Sequence, residues 1–181
     1  MRAVQQGTFD GLCGVYAILN ALDGVGVTGP RTHLHRNLFR SIVKSTPPKT
    51  LAHAVSHGLE TDQLIAAARQ GLRWLRRDHD IDLRISRWRH RPTDKAEFIR
   101  ALTVLSRRPE HAVILCFAKP GLQHWSVVAK IDHHAIRLRD SGGLTHLEIN
   151  RFELERCRYR LIPEDTIVVR RLTRSPSSLQ R

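Results

Sequence analysis

The sequence predicts an α+β fold, with a helical first half followed by an antiparallel sheet. Three observations carry this prediction. Up to Ser106, apolar residues recur at helical spacing, as in Val15, Ile18, Leu19 and Leu22. Beyond Pro109, β-branched and alternating apolar residues take over in short blocks. Turn-forming clusters, Asp132-His133-His134 and Asp140-Ser141-Gly142-Gly143, separate those blocks.

The first helix is expected over Gly11 to Leu22, ended by Asp23-Gly24-Val25-Gly26, with Cys13 at its start. A second runs from Arg31 to Val43, closed by Pro47-Pro48. A third runs from Thr61 to Arg77, with Leu64, Ile65, Ala68, Leu72 and Leu75 inward and Arg69, Arg73, Arg76 and Arg77 outward. Ile81, Leu83 and Ile85 alternate with polar residues as a short strand. Asp94 and Glu97 make a capping-box-like start to a helix that Arg107-Arg108-Pro109 stops. Strands follow over Ala112 to Phe117, Ser126 to Ile131, Ala135 to Leu138, Thr145 to Ile149 and Thr166 to Arg171. The helical layer and the sheet are expected to meet at a cleft.

A chain of 181 residues is long enough for one core, and residues 1–172 are read as a single domain with a disordered polar tail over 173–181. No apolar run is long enough to cross a bilayer, and no signal peptide opens the chain, so a cytoplasmic protein is expected. Cys13, Cys116 and Cys157 fit neither a disulfide framework nor a zinc site. The pairs His33/His35 and His133/His134 have no cysteine or carboxylate at ligand spacing, so neither a metal nor a cofactor is expected. The formal charge of +13 leaves three readings open: an acidic protein or peptide partner, nucleic acid, or an arginine-rich solvated surface. Arg69 to Arg91 holds eight Arg with Trp74 and Trp88 interleaved, a pattern for phosphates and bases, yet Asp78, Asp80 and Asp82 interrupt it and nucleic acid is not favoured.

A cysteine nucleophile needs stabilised thiolate, a base within reach, and donors for the oxyanion. Cys13 opens a helix, whose free N–H groups favour thiolate, and Gly11 and Gly14 leave the backbone open to a substrate. An ordinary thiol is about 3% ionised at neutral pH, so a partner can raise the thiolate fraction about thirtyfold. His124 begins an apolar strand beside Trp125, which would shield the site. Asp140 ends the strand that the Asp132-His133-His134 turn folds back, so it returns to His124 as the group that orients the imidazole. Cys116 reads as core, and Cys157 has no base in view.

The segments QGTFDGLCGVYAILNAL from Gln6 and QHWSVVAKIDHHAIRLRDSGG from Gln123 resemble the papain-like cysteine peptidase superfamily. They look most like the bacteriocin-leader (double-glycine) peptidase domains of peptide exporters and, more distantly, the Josephin-type deubiquitinases. The resemblance implies a papain-like fold and a peptidase that cleaves a peptide or isopeptide bond through an acyl-enzyme. It implies Cys13 as nucleophile, His124 as base, Asp140 as orienting acid and Gln6 as the oxyanion-hole amide, with Gln5 as the alternative to Gln6. Without the exporters' membrane and ATPase domains, a stand-alone enzyme is expected. The same triad serves deamidases, transglutaminases and acyltransferases, and a basic, non-catalytic binding module of the same fold is the further alternative.

Overall fold

The computed structural model describes residues 3–7, 11–27 and 31–172. Its helices are α1 (Cys13–Gly24), α2 (Arg31–Ser45), α3 (Pro48–His57), α4 (Thr61–His79) and α5 (Lys95–Ser106). Its strands are β1 (Leu83–Arg87), β2 (His111–Lys119), β3 (Leu122–Ile131), β4 (Ala135–Arg139), β5 (His146–Glu148) and β6 (Arg160–Arg171). They form one sheet of order β1-β6-β2-β3-β4-β5 with every neighbouring pair antiparallel. The fold is α+β, and no described helix is long and apolar enough to cross a membrane. The tail over 173–181 lies outside the described residues.

Local chemistry explains the element ends. Asp94 caps α5 by accepting from the Glu97 N–H at 2.7 Å, while Glu97 reaches back to the Thr93 N–H at 2.8 Å. Glu60 and Gln63 form a capping box on α4. The β3–β4 turn is built by Asp132, whose Oδ1 accepts from the N–H groups of His134 and Ala135 at 3.0 and 2.8 Å. Those bonds, with Arg137, hold the Asp132 carboxyl down at about 2.

The sheet is covered on both faces, so there are three layers where the sequence suggested two. On one face α1 lies against β2 and β3, with nine of its side chains or glycines buried, among them Ile18, Ala21 and Leu22. This core includes Leu64, Leu72 and Leu75 of α4, Leu38 and Ile42 of α2, and Ile114, Cys116, Trp125 and Val127 of the sheet. On the other face, Phe98 and Leu102 of α5 join Val113, Leu115 and Phe117 of β2 in a second core. The signal was present in β2, whose run Ala112 to Phe117 is buried without alternation, as a strand covered on both sides must be.

Several ends shift by a residue or two, and three differences from the sequence reading are larger. Pro48 opens α3 where the Pro47-Pro48 pair had suggested only a stop, because proline suits the first helical turn, whose N–H has no intrahelical partner. β3 begins at Leu122, so His124 and Trp125 lie inside it and pair across from Phe117 and Cys116. β6 begins at Arg160 in spite of Pro163, which falls where the β2–β6 register shifts between Ile114 and Cys116 and beyond the end of the β1 pairing.

Candidate active site

Cys13 is the first residue of α1, with Leu12 as its cap residue. No side-chain cap and no acidic residue occupies that first turn, so the free N–H groups and the positive end of the helix act on the sulfur without a competing carboxylate. Cys13 is 7% exposed, at the edge of the α1 core.

His124 stands on β3 opposite Phe117, its ring 5.5 Å from the Phe117 ring. The β3–β4 pairing ends at Val127 and Arg139, so the next residue after β4 comes level with Ser126, two residues along β3 from His124. That residue is Asp140. Its Oδ2 lies 2.6 Å from His124 Nε2, and both side chains are buried. Its Oδ1 accepts from the N–H groups of Gly142 and Leu144 at 2.8 and 3.0 Å, which folds the loop around the carboxylate. With Nε2 occupied by Asp140, Nδ1 is the ring nitrogen left to face Cys13, whose sulfur helps to raise the imidazole.

The electrostatics favour charge on both His124 and Asp140. Burial pulls His124 down, but hydrogen bonds to Asp140 and Cys13, and the charges of both, outweigh it and raise the imidazole to about 9. Burial likewise pushes Asp140 up, and the bonds from His124, the Leu144 N–H and Ser126 more than reverse it, leaving the carboxyl below its usual range. A protonated imidazole held against the Asp140 carboxylate is therefore the favoured charge state. Cys116 contrasts with this: burial drives its thiol far up, which fits a core residue.

The other residues singled out in the sequence fall close by. Gln6 donates its backbone N–H to Ser141 O at 3.0 Å and accepts from Ser141 Oγ at 3.3 Å, beside the Asp140 loop. Gln5 reaches the Asp140 carbonyl at 3.4 Å. Trp125 is buried beneath α1, on the inner side of Gly14. A Cβ at Gly14 would come within 2.8 Å of Leu64 Cδ2 and 3.4 Å of Trp125 Cδ1, and one at Gly11 within 2.6 Å of the Ala54 carbonyl. Close packing of α1 against α3, α4 and β3 thus accounts for both glycines.

Three polar residues were not anticipated. Asn20, fully buried on α1, accepts from the Val4 N–H at 2.6 Å and donates to its carbonyl at 3.2 Å, holding the N-terminal segment beside the site. The Ser126 hydroxyl donates to the Arg139 carbonyl at 3.4 Å, next to Asp140, and Ser141 holds Gln6. Asn20 alone left a trace in the sequence, as a polar residue within a helix otherwise apolar on nearly every side. No protein-family model matches the chain, and no curated protein matches it.

Proposed function

We propose that the chain is a thiol hydrolase of the papain-like kind, with Cys13 as nucleophile, His124 as general base and acid, and Asp140 as the group that orients the imidazole. The observation that carries the reading is the buried arrangement itself: a helix-opening cysteine beside a histidine whose Nε2 is held at 2.6 Å by a carboxylate. The resemblance of the Gln6 and Gln123 segments to that superfamily supports it.

In this reading the Cys13 thiolate attacks a peptide or isopeptide carbonyl carbon, forming the C–S bond and an oxyanion. The Cys13 N–H and an amide from Gln6 are the donors for that oxygen. Collapse breaks the C–N bond while imidazolium gives its proton to the leaving amine. Water then attacks the thioester, His124 takes its proton, and the acid leaves as the thiolate reforms. With an amine in place of water the same steps transfer the acyl group, and with a side-chain amide they deamidate it. A protein or peptide of acidic character suits the net charge of +13.

Iodoacetamide alkylation tests the reading in a Cys157→Ser background, because Cys157 is exposed and Cys116 is buried. Cys13 is expected to alkylate rapidly below pH 7, with a rate that falls about thirtyfold in His124→Ala, the ratio between a partnered and an ordinary thiol. A rate indifferent to His124 sinks the enzyme reading and favours a binding module.

A further inference from the structure

The longest unexplained feature outside the site is a band of arginines around the free edge of the sheet. β1 is an edge strand, with β6 and β2 between it and the β3 strand of His124. Three hollows follow one another there and share residues. The first, about 670 Å³, lies along α2 and α4 and is lined by Trp74, Arg73 and Arg76. The second, about 290 Å³, shares Arg73 and Arg76 with it and adds Arg69 and Arg84. The third, about 230 Å³, shares Arg84 and adds Trp88, Arg89, Arg170 and His111. The band therefore starts on the α4 side, turns over β1 at Arg84, and continues on the opposite face of the sheet.

Most of its charges are not used internally. Arg76 and Arg77 face Asp82 and Asp78, and Arg87 faces Asp62 and Asp165. Arg69, Arg73, Arg84, Arg89 and Arg170 are exposed and make no ion pair among the described residues. Arg84 and Arg170 are direct cross-strand partners, and His111, whose Nε2 lies 3.8 Å from the Glu110 carboxylate, is the next partner of Arg170, so two arginines and an imidazole stand in one row across three strands. Like charges placed opposite each other destabilise a sheet. His111 Nδ1 is moreover buried without a hydrogen-bond partner, in a side chain only 8% exposed that lines the third hollow. An anion in that hollow would meet the row and the imidazole together.

We propose that this band is a binding track for single-stranded nucleic acid. Unpaired arginines at successive positions suit a chain of phosphates, and a half-buried tryptophan at each end supplies a surface on which bases stack. Trp88 already stacks on His90 at a ring distance of 5.0 Å, so a base extends an existing stack. The turn over the sheet edge fits a flexible single strand and not a stiff duplex. An acidic peptide would use the arginines but not the two tryptophans.

Fluorescence anisotropy of the full chain with a labelled oligo(dT) of about 15 nucleotides tests the track. Two double variants of equal net charge are compared: Arg84→Gln with Arg170→Gln on the track, and Arg100→Gln on α5 with Arg107→Gln at its C-terminal end. The track pair is expected to weaken binding at least tenfold and to reduce the slope of log Kd against log salt by about 1.4, the contribution of two phosphate contacts to a single strand. The α5 pair is expected to change Kd less than threefold. Trp88→Ala is expected to lose about tenfold, with Trp88→Phe restoring most of it. Arg84→Lys with Arg170→Lys keeps the charge and should retain binding, which separates a lost contact from a lost fold. Equal losses in both double variants, equal affinity for a poly-glutamate peptide, or tighter binding of duplex than of single strand would each overturn the proposal. Cys13→Ala should bind as the wild type does, so this result stands apart from the catalytic reading.

Discussion

Replacing Asp140 by Asn probes the relay with little change in shape. The Asp140 Oδ1 is claimed by two backbone donors, the N–H groups of Gly142 and Leu144. The amide oxygen of an asparagine must stay there, which turns its NH2 group toward His124 Nε2. Where the carboxylate accepted a proton at 2.6 Å, the variant presents one, so the imidazolium loses its acceptor. A charge-assisted hydrogen bond is worth about 2 kcal/mol, and about 1.4 kcal/mol corresponds to tenfold in protonation. The His124 titration midpoint should therefore fall from about 9 to about 7.5. Histidine Cε1 proton resonances followed against pH, with His124→Ala for assignment, read this directly. Asp140→Ala should lower the midpoint as far and, unlike Asn, also release the Gly142 and Leu144 donors, so its thermal midpoint should fall well below that of Asp140→Asn. A wild-type midpoint near 6.5, or one unchanged in Asp140→Asn, would refute the relay.

Three further outcomes follow from the geometry. Gly14→Ala should cost about 1–3 kcal/mol, because its Cβ meets side-chain methyls of Leu64 that have some room to shift; Gly11→Ala should cost more, since it meets the backbone carbonyl of Ala54, and thermal melts giving the reverse order would contradict the packing. The His124 group lies above its unfolded value, so its charge stabilises the fold in full below pH 6.5 and is lost as pH rises through about 9; the urea midpoints of wild type and His124→Ala should draw together between pH 6.5 and 9.5, and a widening gap would reverse the sign. Asn20→Leu removes both partners of Val4, so amide exchange at Val4 should accelerate at least tenfold in hydrogen-exchange measurements, whereas unchanged protection would show that Asn20 does not hold the segment.

Local rules made much of the molecule legible. The stripe of Val15, Ile18, Leu19 and Leu22 marked α1, and the Asp132 and Asp94 side chains marked a turn and a cap, because these depend on residues within one or two turns of chain. α3 was missed because Pro48 is both a stop for one helix and a favoured start for the next. The first part of β6 was missed because Pro163 argues against a strand until a register shift accommodates it. Of the site, Cys13, His124 and Asp140 stood out through residue type and order, while Asn20, Ser126 and Ser141 did not, since a buried hydrogen bond between distant segments has no period in sequence.

The sequence by itself determined the helices, the turns, the excess of arginine and the candidates for chemistry, because propensity, periodicity and charge are properties of neighbouring residues. Only the tertiary structure decided that His124 and Asp140 meet at 2.6 Å, that α5 covers the second face of the sheet, and that Arg84 stands opposite Arg170. Those facts depend on strand register and on which face each helix packs against. Both are set by burying the whole core at once and not by any single segment.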